Sequence, residues 1–153
     1  MRGLTPRAPA ASLAPAATAL YSVDMAQVLI YGLRSSIDAR RAALSDAIHG
    51  TVRAALAYPA EKRFHRFIAL DPADFLYPAD RGEDYTIIEI SMFDGRTEAA
   101  KRQLIRELFT RLEAEVGIAP HSVEITLTET PRVNWGIRGV NAADLSLGYT
   151  VDI

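Results

Sequence analysis

YTIIEISMFDGRTEAAKRQLIRELFTRLEAEVG, Tyr85 to Gly117, contains a strand, a turn and a helix in one unbroken run. Tyr85 to Phe93 alternates and branches like a half-buried strand. DGR then turns the chain, and Leu104, Ile105, Leu108, Phe109, Leu112 and Val116 fall on one helical stripe that Gly117 is suited to stop. The same pattern recurs sixty positions upstream. Leu44, Ile48, Val52 and Leu56 precede Leu104, Leu108, Leu112 and Val116, and Pro59 lies one residue from the partner of Pro120. Around that first stripe, QVLIYGL (Gln27–Leu33) has the length and branching of a buried strand, and HRFIAL (His65–Leu70) reads as another. Ser35 and Ser36 offer helix N-caps, Ser35 and Asp38 have capping-box spacing, and Pro59 predicts a helix stop near Tyr58. SVEITLTET supplies a fourth strand, with Val123, Ile125 and Leu127 inward and Glu124, Thr126 and Thr128 outward. A short edge strand is expected in the closing LGYTVDI.

The order is strand, helix, strand, given twice: a duplicated βαβ unit. Each unit is expected to cross over right-handedly and lay its helix on one face of a shared four-stranded sheet, an α+β fold. Apolar residues of both parities in QVLIYGL and TIIEISMF suggest that a partner subunit covers the other face.

A chain of 153 residues with 49% hydrophobic and 24% charged residues is one soluble globular domain by composition. Its net charge of -2 argues against nucleic-acid binding by bulk electrostatics. With no cysteine, thiolate nucleophiles, disulfides and zinc ribbons are excluded, and a cytoplasmic setting fits. Residues 1–24 hold two arginines, three prolines, seven alanines and one acid; they read as a disordered leader or an unused upstream start, with the domain spanning 25–153. Pro9 and Pro15 interrupt any signal-peptide stretch, and the segment is too polar for a membrane span. Which methionine starts the chain matters. If translation begins at Met25, the small side chain of Ala26 permits removal of the methionine and exposes a free α-amine.

No phosphate-binding glycine loop, nucleophile elbow or HExxH motif occurs. His49, His65 and His121 lack ligand-like spacing and read as packed or surface residues rather than metal ligands. Asp71, Asp74, Asp80, Glu83 and Asp84 crowd a long connector without calcium-loop spacing, as solvated turn and cap residues do. Lys62, Arg63 and Arg66 interleave with Phe64 and Phe67; a base-stacking strand is one reading, and simple alternation of a packed and a solvated parity is the better one. Arg96 stands in DGRT directly before a helix, where it could hold an anion or lie in a solvated turn. Trp135, the only tryptophan, lies beside Arg138 in NWGIRG and could wall a pocket or plug the domain's edge.

The duplicated unit, DGRTEAAKRQLIRELFTRLE, VEITLTE and the following NWG together resemble the tautomerase superfamily, nearest the 4-oxalocrotonate tautomerase and malonate semialdehyde decarboxylase branch, from Met25 to about Asn141. The resemblance implies a homotrimer with no cofactor and no metal, acting on a small-molecule carboxylate, with neither nucleic acid nor membrane as partner. An amino-terminal proline serves that family as general base or acid; its place falls on Ala26, the carboxylate-binding arginine on Arg96 and the aromatic wall on Trp135, with Arg138 adjoining. The decarboxylase's aspartate would fall near Lys62 and the first of its paired arginines near Asp94, so decarboxylation by that route is not carried over. Two expectations follow: a keto-enol isomerase for a small 2-oxo or enol acid, or a catalytically silent trimer with a structural or ligand-binding role. A ferredoxin-like domain shares the linear order of elements but joins its second and third strands closely.

Overall fold

Ala26 and Thr86, sixty residues apart in the repeat, each open a strand of equal length. The computed structural model describes residues 26–145. The first unit comprises β1 (Ala26–Leu33), α1 (Arg34–Leu56) and β2 (Phe64–Leu70); the second comprises β3 (Thr86–Phe93), α2 (Glu98–Arg111) and β4 (Val123–Thr130). Their sheet order is β2-β1-β3-β4, parallel within each unit and antiparallel where β1 meets β3. Leu29 pairs with Glu89, its own counterpart in the repeat, so a local twofold axis passes through that pair. Direct β1–β2 pairing rules out the ferredoxin-like order, whose split units separate those two strands.

Alternation then sorts the side chains. Val28, Ile30, Ile88 and Ile90 point under the helices and join Leu44, Ile48, Leu104 and Leu108 in one core, all nearly inaccessible. Burying each such side chain contributes about 1.5–3 kcal/mol before chain entropy is subtracted. On the opposite face, Leu29, Tyr31, Leu33, Ile87 and Ile68 remain only half-buried. At the β3 end of that face the chain covers itself. Phe93 is 2% exposed beneath Trp135, Ile137, Ala142 and Leu145, carried by a small hairpin of β5 (Gly136–Ile137) and β6 (Val140–Asn141).

Helix ends depart from expectation in two places. Ser35 and Ser36 do not cap α1, which begins at Arg34 after Leu33 with no side-chain cap. Instead the Ser36 hydroxyl donates to Asp84 and accepts from Arg40, and Asp38, the acidic member of the expected capping box, pairs with Arg41. Asp84 also binds Arg40 at 2.6 Å, and Asp71 pairs with Arg34 at 3.2 Å: these two connector acids are ion-pair partners, not merely solvated. At its other end α1 closes on Ala57, a non-glycine residue in the left-handed region (φ 52°), and Tyr58 N–H returns to the Arg53 carbonyl. By contrast α2 carries a side-chain cap and ends at the expected glycine. Thr97 Oγ1 accepts from Ala100 N–H at 3.1 Å, and after a wide π-turn at Leu112–Val116 the chain leaves through Gly117 (φ 79°).

The connector between β2 and β3 folds into two short 3-10 turns, Pro72–Asp74 and Ala79–Arg81, with the Phe75, Tyr77 and Tyr85 rings packed together. The leader and LGYTVDI lie outside the described residues.

Candidate functional site

Antiparallel pairing of β1 with β3 fixes where the head of the domain sits. Ala26 lies opposite Met92, so the start of β1 adjoins the exit of β3 and the Asp94–Thr97 turn. Gly95, at φ 111°, supplies a conformation that a side chain would resist, and the turn carries Arg96 back toward the end of α1. Arg96 is 8% exposed and its Nη1 donates to the Leu56 carbonyl at 2.9 Å. The solvated-turn reading of Arg96 is therefore corrected. A guanidinium is buried this deeply only where hydrogen-bond acceptors meet it, and the last carbonyls of a helix are such acceptors.

Two residues beyond Leu56, Tyr58 reaches Ala26. The Ala26 N–H donates to Tyr58 Oη at 3.0 Å, and Tyr58 Oη donates to the Ala26 carbonyl at 3.3 Å. Ala26 is 4% and Tyr58 6% exposed. One turn at the end of α1 thus holds both Ala26 and Arg96, through Tyr58 and Leu56 respectively. Sequence reasoning used Tyr58 only as the residue before Pro59; its reach to Ala26 depends on the left-handed Ala57, which no local pattern announces.

Trp135 approaches the same end of the sheet from the opposite face. Its ring meets Phe93 edge-on at 5.3 Å between centroids, and its carbonyl accepts from Ala142 N–H at 2.8 Å. Of its two readings, plugging the domain's edge describes this packing. Arg138 occupies the tip of the β5–β6 hairpin, exposed and left-handed (φ 51°), over a hollow of about 360 Å³ lined by Gly136, Ile137, Gly139, Val140 and Asn141. The structure therefore ties Ala26 and Arg96 to neighbouring residues at the end of α1, Tyr58 and Leu56, brings Trp135 to the same sheet end, and sets Arg138 at the hairpin tip.

Two histidines far apart in sequence are neighbours in space. His49 and His65 lie 6.1 Å apart between ring centroids; His49 Nε2 contacts the Ala60 carbonyl at 2.7 Å, and His65 Nδ1 contacts Ser45 Oγ at 2.8 Å. Burial, reinforced by His49 and Arg63 and opposed by Asp46, lowers the His65 pKa to about 4. Both rings have packing partners, and among the described residues no cluster of His, Asp or Glu is arranged to hold a metal ion. On β2 the parity reading holds. His65 and Phe67 face the helices, with Arg41 over Phe67 at 5.7 Å, while Arg66 and the 46% exposed Phe64 face outward. No helix among the described residues is long and apolar enough to cross a membrane.

A family model described as tautomerase enzyme matches residues 62–138, half of the chain. The 2-hydroxymuconate tautomerase of Pseudomonas putida is 39% identical over 57 residues, covering 37% of this chain and 90% of that protein. Among solved structures, malonate semialdehyde decarboxylase inhibited by 3-bromopropiolate superimposes with a TM-score of 0.67 at 28% identity, over 76% of this chain and 92% of the other. A fused 4-OT that forms an asymmetric trimer superimposes at 0.68 and 22% identity, over 76% and 96%; at that identity the likeness is one of fold.

Proposed function

The chain belongs to the tautomerase enzyme family, and from that premise we propose that it is a keto-enol isomerase for a small 2-oxo or enol carboxylic acid. In this reading translation starts at Met25, the methionine is removed, and residues 26–153 form the working domain. The Ala26 amine moves the proton, Arg96 holds the substrate carboxylate, and Trp135 and Arg138 border the site from the following segment. The observation that supports the reading is that Ala26 bonds Tyr58 and Arg96 bonds the Leu56 carbonyl, two residues apart at and just beyond the end of α1.

The chemistry needs a neutral amine. A free α-amine has a reference pKa of about 7.7–8.0, so roughly a tenth to a fifth is neutral at pH 7, and burial beside a guanidinium raises that fraction. Such an amine can abstract a proton next to a carbonyl while an arginine fixes the acid in a bidentate grip. With residues still attached before Ala26, its nitrogen is an amide and has no basicity to offer. The half-buried apolar sheet face and the trimeric fused 4-OT support a homotrimer.

The test combines three measurements on the native protein: intact mass for the terminus, light scattering for the assembly, and ketonisation of 2-hydroxymuconate followed by ultraviolet absorbance. A terminus at Ala26, turnover abolished by acetylating that amine, and a loss of about 100-fold in Arg96→Met are expected, as for removal of a charged anchor. A terminus extended beyond Ala26 together with no turnover overturns the reading and leaves a silent binding trimer.

A further inference from the structure

We propose that the hollow where α1 meets Arg111 of α2 binds a phosphate group, held between Arg53 and Arg111. The site involves neither Ala26 nor Arg96 and does not depend on the isomerase reading.

Arg111 is in an unusual position. A guanidinium carries five N–H donors and no acceptor. Its Nε lies 3.5 Å from a Glu115 oxygen, a long contact, and its Nη1 is buried with no hydrogen-bond partner among the described residues. Leaving a buried cationic donor unmet is costly, and folded proteins hold few such groups. Gly50 makes the resting place, since a Cβ there would stand 2.6 Å from Nη1. The guanidinium is thus parked against the α1 backbone, short of an acceptor.

Space for that acceptor lies alongside. A hollow of about 390 Å³ is lined by Gly50, Arg53, Ala54, Ala57, Tyr58 and Arg111. Gly50, Ala54 and Ala57 contribute no more than a methyl group each, so small side chains leave the room that two arginines border. Arg53 is exposed and takes part in none of the ion pairs among the described residues. Glu107, one turn before Arg111, accepts from Gln103 instead. The negative end of α1 is close and by itself would repel an anion, but the Arg53 carbonyl is already taken by the N–H groups of Ala57 and Tyr58. The charged side chains lining the hollow are therefore both cations.

Two guanidiniums select the ligand. A carboxylate has two oxygens, which one bidentate arginine fills, whereas a phosphate has enough oxygens to serve two arginines together. A phosphate entering the hollow gives Arg111 the acceptor it lacks after a small swing of its side chain away from Gly50.

The test is isothermal titration of the full chain with inorganic phosphate at constant ionic strength. One charge-assisted grip from each arginine corresponds to a Kd of about 1 mM. Arg53→Met and Arg111→Met should each weaken binding about tenfold or more, while Arg106→Met, which removes the same charge from an exposed position outside the hollow, should leave it unchanged. Should Arg111→Met not fold, the exposed Arg53 carries the test, with Arg53→Lys expected to retain part of the affinity because it keeps the charge and loses the fork. Acetate should bind at least about tenfold more weakly than phosphate. An arm with glycerol 3-phosphate separates the two sources of the group: equal affinity assigns the site to a monoester, and loss of binding assigns it to the free ion. No saturable binding up to about 20 mM phosphate overturns the proposal. So does an equal loss in Arg106→Met, which would mark diffuse surface charge, or acetate binding as tightly as phosphate.

Discussion

Gly50 lies inside α1, where glycine is a poor helix former, and a Cβ built there would come 2.6 Å from Arg111 Nη1. That nitrogen is buried and has no hydrogen-bond partner among the described residues, while Arg111 Nε is 3.5 Å from Glu115. Gly50→Ala should therefore stabilise the fold. Helix propensity contributes about 0.8–1.0 kcal/mol. The clash is with the far end of a flexible side chain; when it swings into water, the unmet N–H regains a partner, a gain of about 1 kcal/mol. Losing the Arg111–Glu115 contact and some packing of the arginine stem removes about 0.5–1 kcal/mol. The net is about 1 kcal/mol, or roughly 2–4 °C in Tm. Urea unfolding followed by circular dichroism at one fixed protein concentration is the assay, with an unchanged m-value expected. In an Arg111→Ala background the same change should yield the propensity contribution alone, and the difference isolates the coupling. Destabilisation by 1 kcal/mol or more in the single variant would refute the reasoning, because Arg111 would then be wedged over Gly50 and unable to leave.

Three other outcomes are expected. Ala57→Gly should stabilise by about 0.5–1 kcal/mol in thermal unfolding, since relief of a left-handed alanine, about 1–2 kcal/mol, exceeds the added unfolded-state entropy of glycine. His65, neutral in the fold with a pKa of about 4, contributes stability fully present above the unfolded pKa near 6.5 and lost as pH falls from there toward 4. With partial exposure discounting the effect to about 1 kcal/mol, denaturant midpoints between pH 4 and 6.5 should flatten in His65→Gln. Trp135→Ala should speed hydrogen exchange at Ala142, whose N–H bonds the Trp135 carbonyl, while the central β1–β3 amides keep their protection.

The sequence by itself determined the architecture. Leu44, Ile48, Val52 and Leu56, repeated at Leu104, Leu108, Leu112 and Val116, expose a period that only a helix satisfies, and the alternation of VEITLTET exposes one that only a strand satisfies. Both are local signals, carried by neighbours a few residues apart. Ala26 and Arg96 could be nominated in the same way, by their places in a repeat with a family likeness. Tertiary structure alone decided what each of them touches. The bonds from Ala26 to Tyr58 and from Arg96 to Leu56 span 32 and 40 residues, and each depends on the β1–β3 register and the left-handed Ala57 together. The same distance dependence explains why Ser36 left its expected cap for Asp84, 48 residues on. A periodic pattern fixes which face a residue occupies; which polar group it finds there is set only when the faces are brought together.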